Sequence, residues 1–429
     1  MGLVMAGEQI FNAAASAKQG SDTIFGWWAR YQNAKASGKD AVNGTIGALL
    51  EDDGSLAINK VVDAAVRAAP ELEISAYAPL PGLPAFLDLS KTLALGECRG
   101  PLEEAGFHFA STATPGGSGA LYLAANNLLE RGQTVMLRDR HWGPYKGFLV
   151  NNGLSFRTWP LLSSQTNTEH PYFARSEFEG VLGELCKEQD KVMVWLNDPA
   201  HNPTGLSMTT NGRAALFDSF VSSALRNENV GHTLLIDAAY ALYADEPHGW
   251  ADTILDAVED GAPWPSNLVV CISVSLSKSH TIYGLRTGAL VSIHPEQEIT
   301  DRINTVMAVT GRQTWSAAPR IAQYCVSEMH STEEGGVAWE EERDRLRTLL
   351  VERRAALKAA CNAKGIPLNP TMDGFFAWLE SDDPVALAEA CAEKEVYLVP
   401  LDGGVRIGLC ALALSDVEKV ADALSYALS

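Results

Sequence analysis

No run of this 429-residue chain is apolar for the roughly 20 residues that a helical membrane span needs. Its opening, Met1-Gly-Leu-Val-Met-Ala-Gly7, is short and meets Glu8 at once, so no secretory signal is expected. Alanine at position 6 argues against N-myristoylation. Cysteine is sparse: seven, scattered, with no Cys-x-x-Cys. That excludes a disulfide scaffold and reads as reduced core thiols in a cytoplasm. The nine histidines show no metal-ligand spacing, so no metal is expected. Basic residues are in deficit, 33 Lys and Arg against 53 Asp and Glu, a net charge of -20. Nucleic acid and anionic membrane are therefore not expected partners, although a few arginines can still build a local positive pocket. No Gly-x-Gly-x-x-Gly follows an early strand and no Gly-Lys-Ser/Thr loop occurs, which argues against a Rossmann dehydrogenase and a Walker site. There is no internal repeat and no low-complexity linker.

What is present centres on Ser273-Val-Ser-Leu-Ser-Lys278-Ser-His-Thr-Ile-Tyr-Gly-Leu-Arg286. Apolar runs at 268–274 and 287–293 flank it, and each reads as a short buried strand. A lysine inside such a frame is costly to bury charged, but useful if it must lose its proton and form a Schiff base. Neighbouring hydroxyls and an arginine suit a phosphate. Together they suggest pyridoxal phosphate, with an ordinary loop lysine as the alternative.

Other segments carry compatible chemistry. Ala113-Thr-Pro-Gly-Gly117-Ser118-Gly-Ala-Leu121 opens an apolar-periodic helix over 118–130 and reads either as an anion site at a helix start or as a simple capped helix. Strands at 134–138, 191–196 and 234–237 alternate with helices, as at 210–227, which implies βαβ units and a mainly parallel sheet. Ligands gather at the carboxyl ends of such strands, and Asn202, Asp237 and Lys278 all lie just past strands. Trp142, in the loop after 134–138, could stack on a flat ring or fill core. Residues 315–360 read as helical and charged, with Gly335-Gly336 a candidate break. A compact α+β unit follows: strands at 375–380, 396–399 and 405–410, helices at 384–394 and 415–427, and a hairpin turn at Asp402-Gly-Gly404.

In order and separation, these motifs resemble class I aminotransferases of the aspartate and aromatic type, within the pyridoxal phosphate fold type I group. The resemblance runs from about Gly47 to Arg406. It implies Lys278 as the Schiff-base lysine. Arg286, Ser275, Gly117 and Ser118 match phosphate ligands, and Tyr77 matches a tyrosine that reaches the phosphate in the neighbouring subunit. Trp142 matches the ring-stacking tryptophan, Asp237 the partner of the ring nitrogen, and Asn202 and Tyr240 the partners of the phenolic oxygen. Arg406 matches the arginine for the substrate α-carboxylate and Gly47 a backbone contact to substrate. Arg312 matches a second arginine, supplied by the partner subunit for a distal carboxylate.

The expected fold is α/β: a large domain with a mainly parallel sheet flanked by helices, plus a smaller α+β domain. The expected division is an N-terminal arm and first part of the small domain over 1–55, a cofactor-binding domain over 56–315, and a long helix with the C-terminal small domain over 316–429. The expected activity is pyridoxal 5'-phosphate-dependent transfer of an amino group between an L-amino acid, aromatic and/or dicarboxylic, and a 2-oxo acid by a ping-pong path, in a cytoplasmic homodimer with shared sites. Alternatives are a lyase, racemase or decarboxylase on the same scaffold, and a non-catalytic cofactor-binding sensor.

Overall fold

A computed structural model describes residues 10–11, 13–16, 22–162 and 172–429. After helix α1 (Thr23–Ala36) comes a two-residue strand, β1 (Val42–Asn43). Strands β2 (His108–Pro115), β3 (Thr134–Arg138), β4 (Ser155–Trp159), β5 (Lys191–Asn197), β6 (Gly231–Asp237), β7 (Leu268–Ser275) and β8 (Thr287–His294) then build a seven-stranded sheet in the order β2-β8-β7-β6-β5-β3-β4. Strand β8 is antiparallel to β2 and β7, and the other neighbouring pairs are parallel.

The inner strands are continuous apolar runs because both sheet faces are covered. Side chains alternate across a strand. Val192, Val194 and Leu196 of β5 therefore enter one core with Leu234, Ile236, Val270 and Ile272. Met193 and Trp195 enter the other, with Leu235, Cys271 and helix α2 (Gly116–Leu128). Each such side chain contributes roughly 1.5–3 kcal/mol on burial, enough to hold the strand ends in one register. Helix α3 (Pro144–Asn151) follows β3, and helix α4 (Gln297–Thr314) follows β8.

Helix α5 (Arg320–Met329) packs on the large-sheet side through Val326 and Met329. Helix α6 (Glu333–Ala363) starts there with Trp339 and runs to the second core, where Leu346, Leu350, Leu357 and Cys361 are buried. The helical stretch expected over 315–360 is thus interrupted before the glycine pair, not at it. Thr332 caps α6, its hydroxyl accepting from Gly335 N at 3.1 Å. A Cβ at Gly335 would stand 2.1 Å from Met329 O, so the glycine lets the two helices meet closely.

The second core lies around β9 (Phe376–Glu380), β10 (Val396–Tyr397), β11 (Val399–Leu401) and β12 (Gly404–Gly408). The order β11-β12-β9 is antiparallel, while β10 pairs in parallel with β1. The single strand expected at 396–399 is therefore two, serving different sheets. Asp402 and Gly403 form the two-residue turn between Leu401 and its partner Gly404, with Gly403 at φ 86°. Among the described residues no helix is long and apolar enough to cross a membrane.

Candidate active site

A cavity of about 550 Å³ opens at the carboxyl ends of β5, β6 and β7, against β9 and β12. All the residues singled out in the sequence line it except Tyr77 and Arg312. Adjacent strands set the registry: Asn197 pairs with Asp237, and Asp237 with Ser273, so useful side chains emerge side by side.

Lys278 sits on a single helical turn, Leu276–Ser279, directly after β7. Its Nζ donates to Gly47 O at 2.6 Å and lies 4.7 Å from the Tyr283 ring centre and 5.6 Å from that of Tyr240. The residue is part-buried, since it faces the cavity, but aromatic walls desolvate the amine. Burial, helped by the Arg406 and Arg286 charges, pulls its pKa down to about 8. Asp237 ends β6 and is 5% exposed. Burial pushes its carboxyl up to about 6, although a hydrogen bond from Tyr145 and one from Ala239 N oppose the rise. The Tyr145 hydroxyl donates to Asp237 Oδ2 at 2.5 Å. Burial, then the Asp237 charge, raise the Tyr145 phenol and keep it a donor.

The opposite wall is cationic. Arg406, on β12, is 2% exposed. It donates to Thr45 O at 2.6 Å and Asn202 Oδ1 at 3.3 Å, and its Cζ lies 4.4 Å from the Phe376 ring centre. Its Nε has no hydrogen-bond partner among the described residues. Arg213 and Arg353, equally buried, have the carboxylates of Asp198 and Asp52 beside them, whereas Arg406 makes no ion pair among the described residues. Asn202 also donates to the Tyr240 hydroxyl at 3.3 Å. A buried arginine without a counter-charge awaits an anion.

The third wall joins Arg286 to the start of α2. Arg286 has φ 50°, a left-handed conformation rare for arginine, and donates to Ser277 Oγ and Tyr283 O, each at 2.9 Å. Such an outlier concentrates at ligand sites. A Cβ at Gly116 would fall 2.3 Å from Arg286 Nη2, and one at Gly117 would fall 3.1 Å from Ser275 Cβ. The two glycines thus keep open a cradle in which a guanidinium, hydroxyls and the first N–H groups of α2 converge. That donor set fits a phosphate.

Sequence reasoning did not assign Tyr145, Tyr283 or Ser277 to the site, nor the α1 residues Ile24, Phe25 and Trp28 that line its mouth. The signal for Tyr145 was its place three residues after Trp142, at the start of α3. Tyr77 is 85% exposed and outside the cavity. Arg312 lies exposed near the end of α4, donating to Ser316 Oγ at 2.5 Å. Neither is brought to the site within one chain. Among the described residues, no His, Cys, Asp and Glu cluster could hold a metal.

A mainly parallel sheet with its lysine just beyond β7 and a glycine-lined anion cradle at α2 defines an α/β enzyme of fold type I. The chain belongs to the aminotransferase class I and II family, which matches residues 39–424, and it is an aminotransferase. It is 23% identical over 419 residues to the cytoplasmic aspartate aminotransferase of Schizosaccharomyces pombe, covering 95% of this chain and 96% of that one. It is 27% identical over 318 residues to the aromatic-amino-acid aminotransferase of Paracoccus denitrificans, covering 73% and 74%. The fold is shared with an aminotransferase from Anaerococcus prevotii at a TM-score of 0.89, with 24% identity over 97% and 98% of the two chains. It is also shared with the aromatic-amino-acid aminotransferase of Burkholderia pseudomallei, covalently bound to pyridoxal phosphate, at 0.76, with 22% identity over 98% and 100%.

Proposed function

We propose that this enzyme uses pyridoxal 5'-phosphate on Lys278 to move an amino group between an L-amino acid, aromatic or dicarboxylic, and a 2-oxo acid in two half-reactions. The single observation that carries the reading is a desolvated lysine amine in one cavity with Asp237, the cradle at Arg286 and the uncompensated Arg406. Arg286, Ser118, Ser275 and the backbone at Gly117 would hold the phosphate, Asp237 the ring nitrogen, and Asn202 and Tyr240 the phenolic oxygen, with Trp142 against the ring. When bound, the group supplies an aldehyde for the amine and an electron sink for the substrate Cα.

The chain's own residues do the rest. Lys278, once displaced by substrate, can carry a proton from the substrate Cα in its neutral form. Burial brings that form within reach near neutral pH, so the lysine itself can serve as the base. Arg406 offers its guanidinium fork to the α-carboxylate, and Gly47 O holds the lysine on the inner side. Ionised Asp237 favours a protonated ring nitrogen, and Tyr145 holds that carboxylate in place.

The assembly we read is a homodimer with shared sites. Exposed Leu72, Ile74 and Tyr77 form an apolar surface beside α5, where Arg320 donates to Tyr77 O. A partner's Tyr77 and Arg312 would then complete each site. We read the domains as divided near 55 and 315. A cytoplasmic location is supported by seven free cysteines, six of them buried. The test is borohydride reduction of the cofactor-loaded enzyme with peptide mapping, coupled to measurement of 2-oxo acid released from an L-amino acid. Label on Lys278 with 2-oxo acid formed is the expected result; label on Lys146 or Lys191 would overturn the assignment.

A further inference from the structure

Helix α1 has two apolar faces, and only one is used for packing. Trp27, Tyr31 and Ala34, spaced as one helical stripe, turn to the second core. Trp27 and Ala34 are buried, and Tyr31 meets Tyr397 edge-on at 6.3 Å. Arg30 fixes the helix from outside, with its guanidinium 4.0 Å from the Trp27 ring centre and paired to Glu389 at 2.7 and 2.6 Å. The second face, Ile24, Phe25 and Trp28, lines the cavity. Phe25 and Trp28 stand edge-on at 6.3 Å, yet Phe25 remains 64% exposed. Leu56, 45% exposed, and Leu121 extend the same lining.

We infer that the first turn of α1 is the wall that reads the substrate side chain, and that it selects a large uncharged, preferably aromatic, side chain. The inference rests on the amino-transfer reading of this site. The occupant follows from what else the cavity holds. Among the described residues that line it, the cations are Lys278, Arg286 and Arg406, each committed to amine, cradle or carboxylate. Among the described residues of this chain no other cation lines the cavity, so a distal carboxylate would rely on the partner's Arg312, and the α1 end adds Asp22, whose carboxylate caps the helix through Phe25 N at 3.1 Å. Asp22 also favours the Arg406 cation, which puts the start of α1 within electrostatic reach of the carboxylate grip. An amino acid held at Arg406 thus meets two aromatic rings and aliphatic side chains, a lining that rewards apolar area and ring–edge contact.

The experiment measures two things in the cofactor-loaded enzyme. One is kcat/KM of the half-reaction with L-phenylalanine, L-alanine and L-glutamate, followed by cofactor absorbance. The other is equilibrium binding of 3-phenylpropionate against propionate, which carry the carboxylate but no amine. Phe25→Ala and Trp28→Ala should each lower the phenylalanine-to-alanine ratio roughly tenfold or more, and weaken 3-phenylpropionate against propionate by a similar factor. Trp28→Phe should recover most of both. An unchanged ratio, or a wild type that prefers glutamate to phenylalanine, would overturn the inference. Wild-type enzyme that discriminates the two acids through α1 but reacts with no amino acid would leave the wall standing and refute amino transfer.

Discussion

The pH profile of cofactor capture is the sharpest physical consequence of the site. A lysine amine can attack an aldehyde only when neutral. In this cavity burial lowers Lys278 from the ordinary 10.5 of a lysine to about 8, reinforced by Arg406 and Arg286 and opposed by Asp237. At pH 7 a group titrating at 8 is about one-tenth neutral, whereas an ordinary lysine is neutral in roughly 3 molecules in 10,000, a gain on the order of 300-fold. Apoprotein mixed with pyridoxal 5'-phosphate should therefore bind it at a rate that climbs about tenfold per pH unit below 8 and levels off above. Stopped-flow absorbance, with reduced samples mapped to Lys278, reads this directly. A rate that keeps climbing to pH 10 would mean that the amine is solvated and that the aromatic walls do not desolvate it. The same shift has a stability sign. Between the folded value near 8 and the unfolded 10.5 the unfolded chain binds more protons, so stability rises with pH across that window. Below it the charged amine costs roughly 3 kcal/mol, and Lys278→Met should stabilise the apoprotein at pH 7 by up to that amount while abolishing turnover.

Asp237→Ala should retain the cofactor but lose on the order of 10²–10³ in kcat, as expected when a preorganised charge partner is removed; near wild-type turnover would refute its assignment to the ring nitrogen. Tyr145→Phe removes the hydrogen bond that holds the Asp237 carboxyl down, so the acid limb of kcat/KM should move to higher pH by about one unit, and an unmoved limb would show that the 2.5 Å contact is merely structural. Sedimentation at working concentration should give a dimer, and an active monomer would refute shared sites. Arg312→Ala should cost dicarboxylates on the order of 2–5 kcal/mol in kcat/KM and aromatic substrates much less; an equal loss for both would make Arg312 structural.

How far the sequence could be read depended on how local each signal was. Strands β5, β6 and β7 were legible because burial on both faces makes them unbroken apolar runs. Strand β2, which carries the glycine cradle at its end, was not recognised, because His108-Phe-Ala-Ser-Thr-Ala-Thr-Pro115 is mostly small and polar and is buried only by what surrounds it. Helix α1 was not recognised either, since glycine and three aromatics fall in its first six residues and its two apolar faces blur the helical period. For the same reason its cavity-lining role could not be foreseen: periodicity reports that a face is apolar, not whether it meets a core or a ligand. The Tyr145–Asp237 contact joins residues 92 apart and has no sequence signature.

Tyr77 and Arg312 pose the reverse problem, since their sequence matches are clear and their positions in one chain are not at the cavity. Tyr77 is 85% exposed, an unusual state for a tyrosine amid Leu72, Ile74 and Leu80, which are themselves exposed. Among the described residues Arg312 has only the neighbouring Ser316 hydroxyl as a partner, although the chain carries 53 acidic residues. An apolar patch in water is an unfavourable arrangement that association with a second copy would relieve, and the exposed Arg312, tied to no carboxylate among the described residues, would be free to reach a partner's cavity. A twofold axis makes the exchange reciprocal: whatever surface each chain gives, it receives. The two residues that do not reach their own site are therefore the strongest reason to expect that the site is completed by another chain: an active monomer in sedimentation would rule out a shared Arg312, whereas a dimer whose Arg312→Ala variant loses both substrate classes equally would keep the assembly and remove Arg312 from the site.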